Sequence, residues 1–327
     1  MTAGPTEQEV GRSFNDELHR RRLRFRPSRG QQRQSPWAMM GIGAIFAAIG
    51  VGVAVFALTG RAGDAPRVIL VAFGGLFAVA GAAAAVAGVR RLGAERRLAA
   101  QAEAHPGEPW MRDHAWSPHE AGDLTMRRAG YLLGGGVVGV LFGSFFAGMG
   151  VSIVLGGAPW FAWLFALIGA VVAGVSLASL GWGLLLVYRR LRFGRTRVRY
   201  ERFPLWTDEP IELAWVCPSI GRASRLTFTL RYIREEIHIT HSKNGPSESW
   251  EIYERYTDGY TVEDPGGLPA GEPVPVTFLL PPGARGTHLA SREPRYWELE
   301  VHAKLLGPDF RGRYLLPIYE RSGGGAG

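Results

Sequence analysis

The chain has little of what redox or metal chemistry needs. Among 327 residues there is one cysteine, Cys217. That excludes an intrachain disulfide framework and any multi-cysteine zinc or iron–sulfur centre. Lysine is nearly absent, Lys243 and Lys304 being the only two, so the formal net charge of +8 is carried by arginine. Asp, Glu, Lys, Arg and His are missing from four long apolar blocks between residues 37 and 188, and proline is missing from their interiors. An ion or proton pathway needs ionisable side chains facing a bundle interior. Ion binding by broken helices would call for interruptions in those blocks. No nucleophile elbow, phosphate loop or dinucleotide fingerprint occurs, so the sequence indicates no catalytic residues, no cofactor and no metal ligands.

The apolar blocks themselves are the strongest feature present. They run over residues 37–59, 68–89, 129–155 and 160–188, each long enough to cross a hydrocarbon core of ~30 Å. None shows the polar face of a helix packed in a water-soluble protein. The first is too long, and too far from the start of the sequence, for a signal peptide core. The expected architecture is an α-helical membrane bundle of four spans, arranged as two hairpins, plus an all-β sandwich.

Arginines cluster before the first block (Arg12, Arg20, Arg21, Arg22, Arg24, Arg26, Arg29, Arg33), between the second and third (Arg90, Arg91, Arg96, Arg97, Arg112, Arg127, Arg128), and after the fourth (Arg189, Arg190, Arg192, Arg195, Arg197, Arg199). The positive-inside rule puts these three segments in the cytoplasm, and with them both termini. Trp37, Trp160, Trp163, Trp182 and Tyr188 stand near block ends, where interfacial anchors belong. The resulting division is a basic, disordered cytoplasmic leader (1–36), a first hairpin (37–89), a cytoplasmic linker (90–128), a second hairpin (129–188), and a cytoplasmic β-sandwich with a disordered tail (189–327). Juxtamembrane position accounts for the basic leader through anionic lipid, without nucleic acid.

Small residues recur every fourth position: Gly135, Gly139, Gly143 and Ala147 in the third block, Gly74, Ala78 and Ala82 in the second, Ala44, Ala48 and Gly52 in the first. Such stripes let helices approach closely in lipid. Packing within the bundle is the preferred reading, with homo-oligomerisation as the other.

In the linker, Arg91 to Ala104 continues the second helix outward until His105-Pro106-Gly107-Glu108-Pro109-Trp110 stops it. His105, His114 and His119 with Glu108, Asp113 and Glu120 lack metal-motif spacing. Trp110 and Trp116 read as plugs that dock the linker onto the bundle base or the C-terminal domain.

From Thr196 onward the pattern becomes alternation. Leu226, Phe228, Leu230 and Tyr232 repeat at period two, as do Val274, Val276 and Phe278, and Trp297, Leu299, Val301 and Ala303. On that pattern Glu298 and Glu300 lie on the exposed face of their strand. Other expected strands are 197–203, 211–216, 236–240, 250–256, 260–263 and 313–319. Turns are expected at Asn244-Gly245-Pro246, Asp258-Gly259, Asp264-Pro265-Gly266-Gly267 and Gly307-Pro308-Asp309. His238 and His241, at i and i+3 of a strand, face opposite ways.

The segment His105-Pro106-Gly107-Glu108-Pro109-Trp110 with Trp116 resembles one in a family of bacterial multi-pass membrane proteins of unknown function. The resemblance extends to Leu268-Pro269-Ala270-Gly271-Glu272, Val276-Thr277-Phe278 with Leu280-Pro281, Trp297-Glu298-Leu299-Glu300-Val301, Gly307-Pro308-Asp309-Phe310 and Leu316-Pro317-Ile318-Tyr319. The last strand pair is also similar to arrestin-like and immunoglobulin-like sandwiches. The resemblance implies no enzyme activity. The expectation is a bacterial inner-membrane anchor or scaffold whose sandwich binds a protein partner, embedded in the lipid bilayer. A transporter component or a membrane-bound enzyme is the alternative.

Overall fold

The computed structural model describes residues 21–23, 35–59, 64–157, 162–242, 245–267 and 271–321. The remaining leader arginines, Trp160, Asn244, Leu268, Pro269, Ala270 and the tail lie outside the described residues. In chain order the elements are β1 (Arg21–Arg22), α1 (Pro36–Leu58), α2 (Asp64–Ala104), α3 (Pro109–Asp113), β2 (Glu120–Gly122), α4 (Thr125–Leu155), α5 (Ala162–Phe193), β3 (Arg197–Arg199), β4 (Leu205–Trp206), β5 (Ile211–Val216), β6 (Arg222–Ser242), β7 (Gly245–Gly267), β8 (Pro273–Phe278), β9 (Arg295–Leu305), β10 (Phe310–Leu316) and β11 (Ile318–Tyr319). They form two compact units.

The first unit is helical. Helices α1, α2, α4 and α5 are each long and apolar enough to cross a membrane. Helix α2 runs on through the charged stretch and ends at Ala104, before His105-Pro106-Gly107. Large apolar side chains such as Val68, Leu155, Leu167 and Val175 point outward over the bundle surface, a surface that suits lipid rather than water.

The helices pair as antiparallel hairpins through glycine. A β-carbon on Gly50 would lie 2.3 Å from the Ala78 amide nitrogen, one on Gly81 2.3 Å from that of Ala47, and one on Gly74 2.7 Å from that of Ala54. Gly143 and Gly169 bring α4 and α5 together in the same way, against Ala173 and Ala147. The contact positions in α1 are therefore Gly43, Ala47, Gly50 and Ala54, alternating steps of four and three. This differs from the strict four-residue stripe expected on Ala44, Ala48 and Gly52, and Gly52 itself faces open space. A mean step near 3.5 keeps a seam facing its partner in left-handed packing, whereas steps of four drift off it. Gly135 likewise meets nothing, while Gly136 sits on Leu180, Gly139 on the Ser176 side chain and Gly143 on Ala173. Phe73 stacks on Phe145 at 3.7 Å and Phe77 lies 5.7 Å from Phe142, tying α2 to α4.

The second unit is a β-sandwich. One sheet has the order β1-β7-β6-β9-β10 and the other β2-β3-β5-β8, both antiparallel, with a short parallel pair β4-β11. Trp215 of β5 meets Phe228 of β6 edge-on and donates its indole N–H to the Tyr314 hydroxyl of β10 at 3.1 Å, so the two sheets share one core. Trp297, Leu299, Val301 and Ala303 are all buried in it.

Several expectations are corrected here. Asp258-Gly259 is not a turn. Both residues lie inside β7, opposite Leu230 and Thr229. Gly259 is needed because a β-carbon there would stand 2.7 Å from the Phe228 carbonyl. Asp264-Pro265-Gly266-Gly267 is also inside β7, as a register irregularity with Asp264 at φ +43°. The six-to-seven connection falls between Ser242 and Gly245. Glu298 and Glu300 are buried, at 0% and 4% exposure. They lie on the second face of the five-stranded sheet, which is covered. That face holds a cluster of Ile233, Ile252, Leu289, Tyr296 and Leu315, with Leu23, Trp116 and Leu124 packed against it.

The sandwich takes in segments from both sides of the helices. Residues 98–125 belong to this unit together with the chain from 189 onward. Strand β2 of the linker pairs with β3, and Arg21–Arg22 of the leader pair with Glu254 and Tyr253 of β7. The 90–128 linker thus supplies β2 to the sandwich, and Arg21–Arg22 supply β1.

Candidate functional site

The second face of the five-stranded sheet carries a buried network of ion pairs. A single extra residue, Arg255, shifts the register of β7 between Tyr256 and Glu254. A bulge of this kind turns the residues beyond it to the opposite face, so Tyr256 enters the main core while Glu254 and Ile252 face away. Glu254 then lies beside Arg231, with Nε 3.1 Å away, and the same guanidinium reaches Glu300 at 2.8 Å. Arg311 pairs with Glu300 from β10, and Arg313 stands 3.8 Å from it. Burial pushes the Glu300 carboxyl up, but Arg231 and then Arg311 and Arg313 more than offset this, leaving it below the usual range. On the other face of the β6–β7 ribbon, Arg255 pairs with Glu236, and the His238 ring lies 3.3 Å from Glu251. The His241 side chain is outside the described residues.

The linker closes one end of this face. Trp116 donates its indole N–H to the Tyr319 hydroxyl at 3.0 Å, and that hydroxyl donates to Asp113 at 3.3 Å. Asp113 also accepts the Ala290 amide at 3.0 Å. Burial first, and then the Asp113 charge, push the Tyr319 hydroxyl far above its ordinary range. Trp110 lies edge-on to Trp206 and Tyr319. The Tyr200 hydroxyl donates to the Ser117 carbonyl at 2.5 Å, and Arg197 pairs with Glu120 at 3.0 Å. Asp123 accepts from the Thr125 amide and hydroxyl and from the Arg313 amide. Burial nevertheless raises its carboxyl above the usual value.

Within His105-Pro106-Gly107-Glu108-Pro109-Trp110, the ring of His105 lies 3.4 Å from the Gln101 carbonyl and the side chain is exposed, as are Pro106 and Gly107. Glu108 and Pro109 open α3. The contacts of this segment with the sandwich come from Trp110 and, further on, Asp113 and Trp116. Asp113 carried no signal that separated it from a solvated linker acid. Cys217 is buried, with its thiol 3.5 Å from the Phe193 carbonyl, and burial pushes it up to about 11. A thiol so poised is inert at neutral pH.

The long hairpin also projects. β9 follows β6 only as far as the Arg234–Arg295 pair, whereas β6 and β7 stay paired to Ser242 and Gly245. Beyond Glu235, whose amide reaches the Pro294 carbonyl, no strand among the described residues pairs with that edge of β6. Ile239 on this ribbon is 51% exposed.

No protein-family model and no curated protein matches the chain. Among solved structures it is similar to the sporulation control protein Spo0M from Bacillus subtilis, at 12% identity and a TM-score of 0.23. The similarity covers 38% of this chain and 48% of that one, so the chain spans about half the length of the structure it matches. The protein is thus defined as four candidate membrane spans joined to a β-sandwich.

Proposed function

We propose that the protein is a non-catalytic membrane anchor whose β-sandwich binds another protein by accepting a strand. The observation that carries this reading is the edge of β6 beyond Ile237, with which no strand among the described residues pairs, presented on a two-stranded ribbon with Ile239 exposed. An extended peptide gains main-chain hydrogen bonds along such an edge, and alternate side chains supply specificity. The arginine asymmetry around the apolar helices supports a bacterial inner-membrane location with both termini and the sandwich in the cytoplasm. The resemblance to bacterial multi-pass membrane proteins of unknown function fits this reading and adds no activity.

A photo-crosslinking residue at Ile239 in the full chain, in native membranes, tests it. The reading expects a discrete protein adduct that is lost when His241, whose amide shares the edge of Glu235 and Ile237, is replaced by Pro, with abundance and thermal stability retained. Adducts to lipid alone, or adducts that survive His241→Pro, contradict it. An adduct to a second copy of this chain makes the partner a homo-oligomer.

A further inference from the structure

We infer that the cavity between β6 and the connection preceding β9 is a binding site for a phosphate-type anion, either a soluble phosphate ester or an anionic lipid headgroup. The cavity has a volume of about 550 Å³, opens to solvent, and is lined by Arg234, Arg285, Arg292, Arg295 and His288 against a single carboxylate, Glu293. That carboxylate is already committed. It pairs with Arg234 at 2.8 Å and accepts the Ile237 amide at 3.4 Å, and the Arg234 hydrogen bond holds it below the usual carboxylate range. Arg292 pairs outward with Glu248 at 3.2 Å. The nearby Glu320 is turned onto the Gly286 amide at 2.6 Å.

Two guanidiniums remain. Arg285 and Arg295 make no ion pair among the described residues, and Nε of Arg295 is buried with no hydrogen-bond partner. Both act on the buried Tyr232 hydroxyl, which places them in one neighbourhood. A buried N–H without an acceptor is costly to leave unmade. A tetrahedral oxyanion supplies acceptors to two planar forks at once, bidentately where a fork lies flat against it. The backbone fixes the arrangement: His288 and Arg295 exchange amide–carbonyl hydrogen bonds at 2.8 and 3.2 Å, which hold the connection closed beneath the side chains. Ile237 and Ile239 line the same cavity. They offer an apolar wall for the organic part of an ester, for which inorganic phosphate alone leaves room.

The test uses the full chain in neutral detergent micelles. Glycerol 3-phosphate is titrated by calorimetry, and separately the micelles are doped with phosphatidylglycerol or, as a control, phosphatidylcholine. Saturable binding of glycerol 3-phosphate identifies a soluble ester as sufficient. Binding seen only with phosphatidylglycerol identifies the headgroup. In either case Arg285→Gln combined with Arg295→Gln should weaken binding at least about tenfold. Glu293→Gln, which removes the carboxylate that lines the cavity, should tighten it or leave it unchanged. This second variant keeps the test decisive should the double variant fold poorly. Absence of saturable binding to both probes, equal affinity in the double arginine variant, or weaker binding in Glu293→Gln overturns the proposal.

Discussion

The indole of Trp116 donates to the Tyr319 hydroxyl at 3.0 Å across 203 residues of chain, with two of the four candidate membrane helices between them. The sandwich is therefore a discontinuous domain, closed by a linker that leaves and re-enters the helical unit. A fragment beginning at Thr196 keeps most of the main core but lacks its Ala121 and Phe193, together with β2, Trp116 and Leu124. We expect that fragment to aggregate or to melt well below the sandwich of the full chain. Adding residues 98–125 in trans or by fusion should restore a cooperative transition. Trp116→Ala in the full chain should cost about 1–3 kcal/mol, since the side chain is only half-buried. Tryptophan fluorescence during thermal unfolding reads both effects.

Glu300 ties acid stability to the second face of the sheet. Its folded-state carboxyl lies below the ordinary value of 4.5 because Arg231, Arg311 and Arg313 outweigh its burial. A depressed acid stabilises the fold above its unfolded value, and that stabilisation is lost as pH falls from about 4.5 through the lower folded value. The melting temperature of the sandwich should fall over that window. Glu300→Gln should lose about 3 kcal/mol at neutral pH, because it leaves Arg231 half-partnered in a buried setting. Its acid limb should then be flatter than that of the native chain.

Trp297 anchors the main core with no solvent exposure and donates its indole N–H to the Arg285 carbonyl at 2.7 Å. Trp297→Ala should destabilise the sandwich by about 3–5 kcal/mol. Chemical denaturation should show the loss as a lower midpoint with an unchanged slope. An unchanged midpoint would place this strand outside the core.

The hairpin seams give a paired test in the helical unit. Gly50 and Gly52 are two residues apart, yet only Gly50 touches α2. Gly50→Ala should force the helices apart and cost about 1–3 kcal/mol by overpacking, whereas Gly52→Ala should be neutral. Resistance to denaturation in sodium dodecyl sulfate, followed by circular dichroism, separates the two.

Apolar length alone marks out the four helices, and period-two alternation marks the core face of β6 and β9, because burial on one side leaves a local signature. What was not legible depends on contacts between distant segments. Glu298 and Glu300 read as exposed because alternation identifies the face turned from the main core but cannot tell whether something covers it. Here Trp116, Leu124 and Leu23 do. Gly259 read as a turn because Asp-Gly is a turn dipeptide, while its reason for being glycine is a carbonyl on the neighbouring strand. The glycine seam was missed in α1 and at Gly135, though met at Gly74, Gly139 and Gly143, because a strict four-residue repeat ignores the steps of three that keep two helices in register. The arginine cavity had no sequence signal at all, since its members come from β6, from the connection before β9 and from the start of β9.

Hydrogen–deuterium exchange on the full chain in micelles tests most directly whether the linker is built into the sandwich. The amides of Leu124, bonded to the Arg313 carbonyl, and of Ala290, bonded to Asp113, should exchange as slowly as the paired amides of β9. Trp116→Ala should speed both without altering exchange in α1 or α5. Complete exchange of residues 113–124 at the earliest time point, with β9 still protected, would contradict the account.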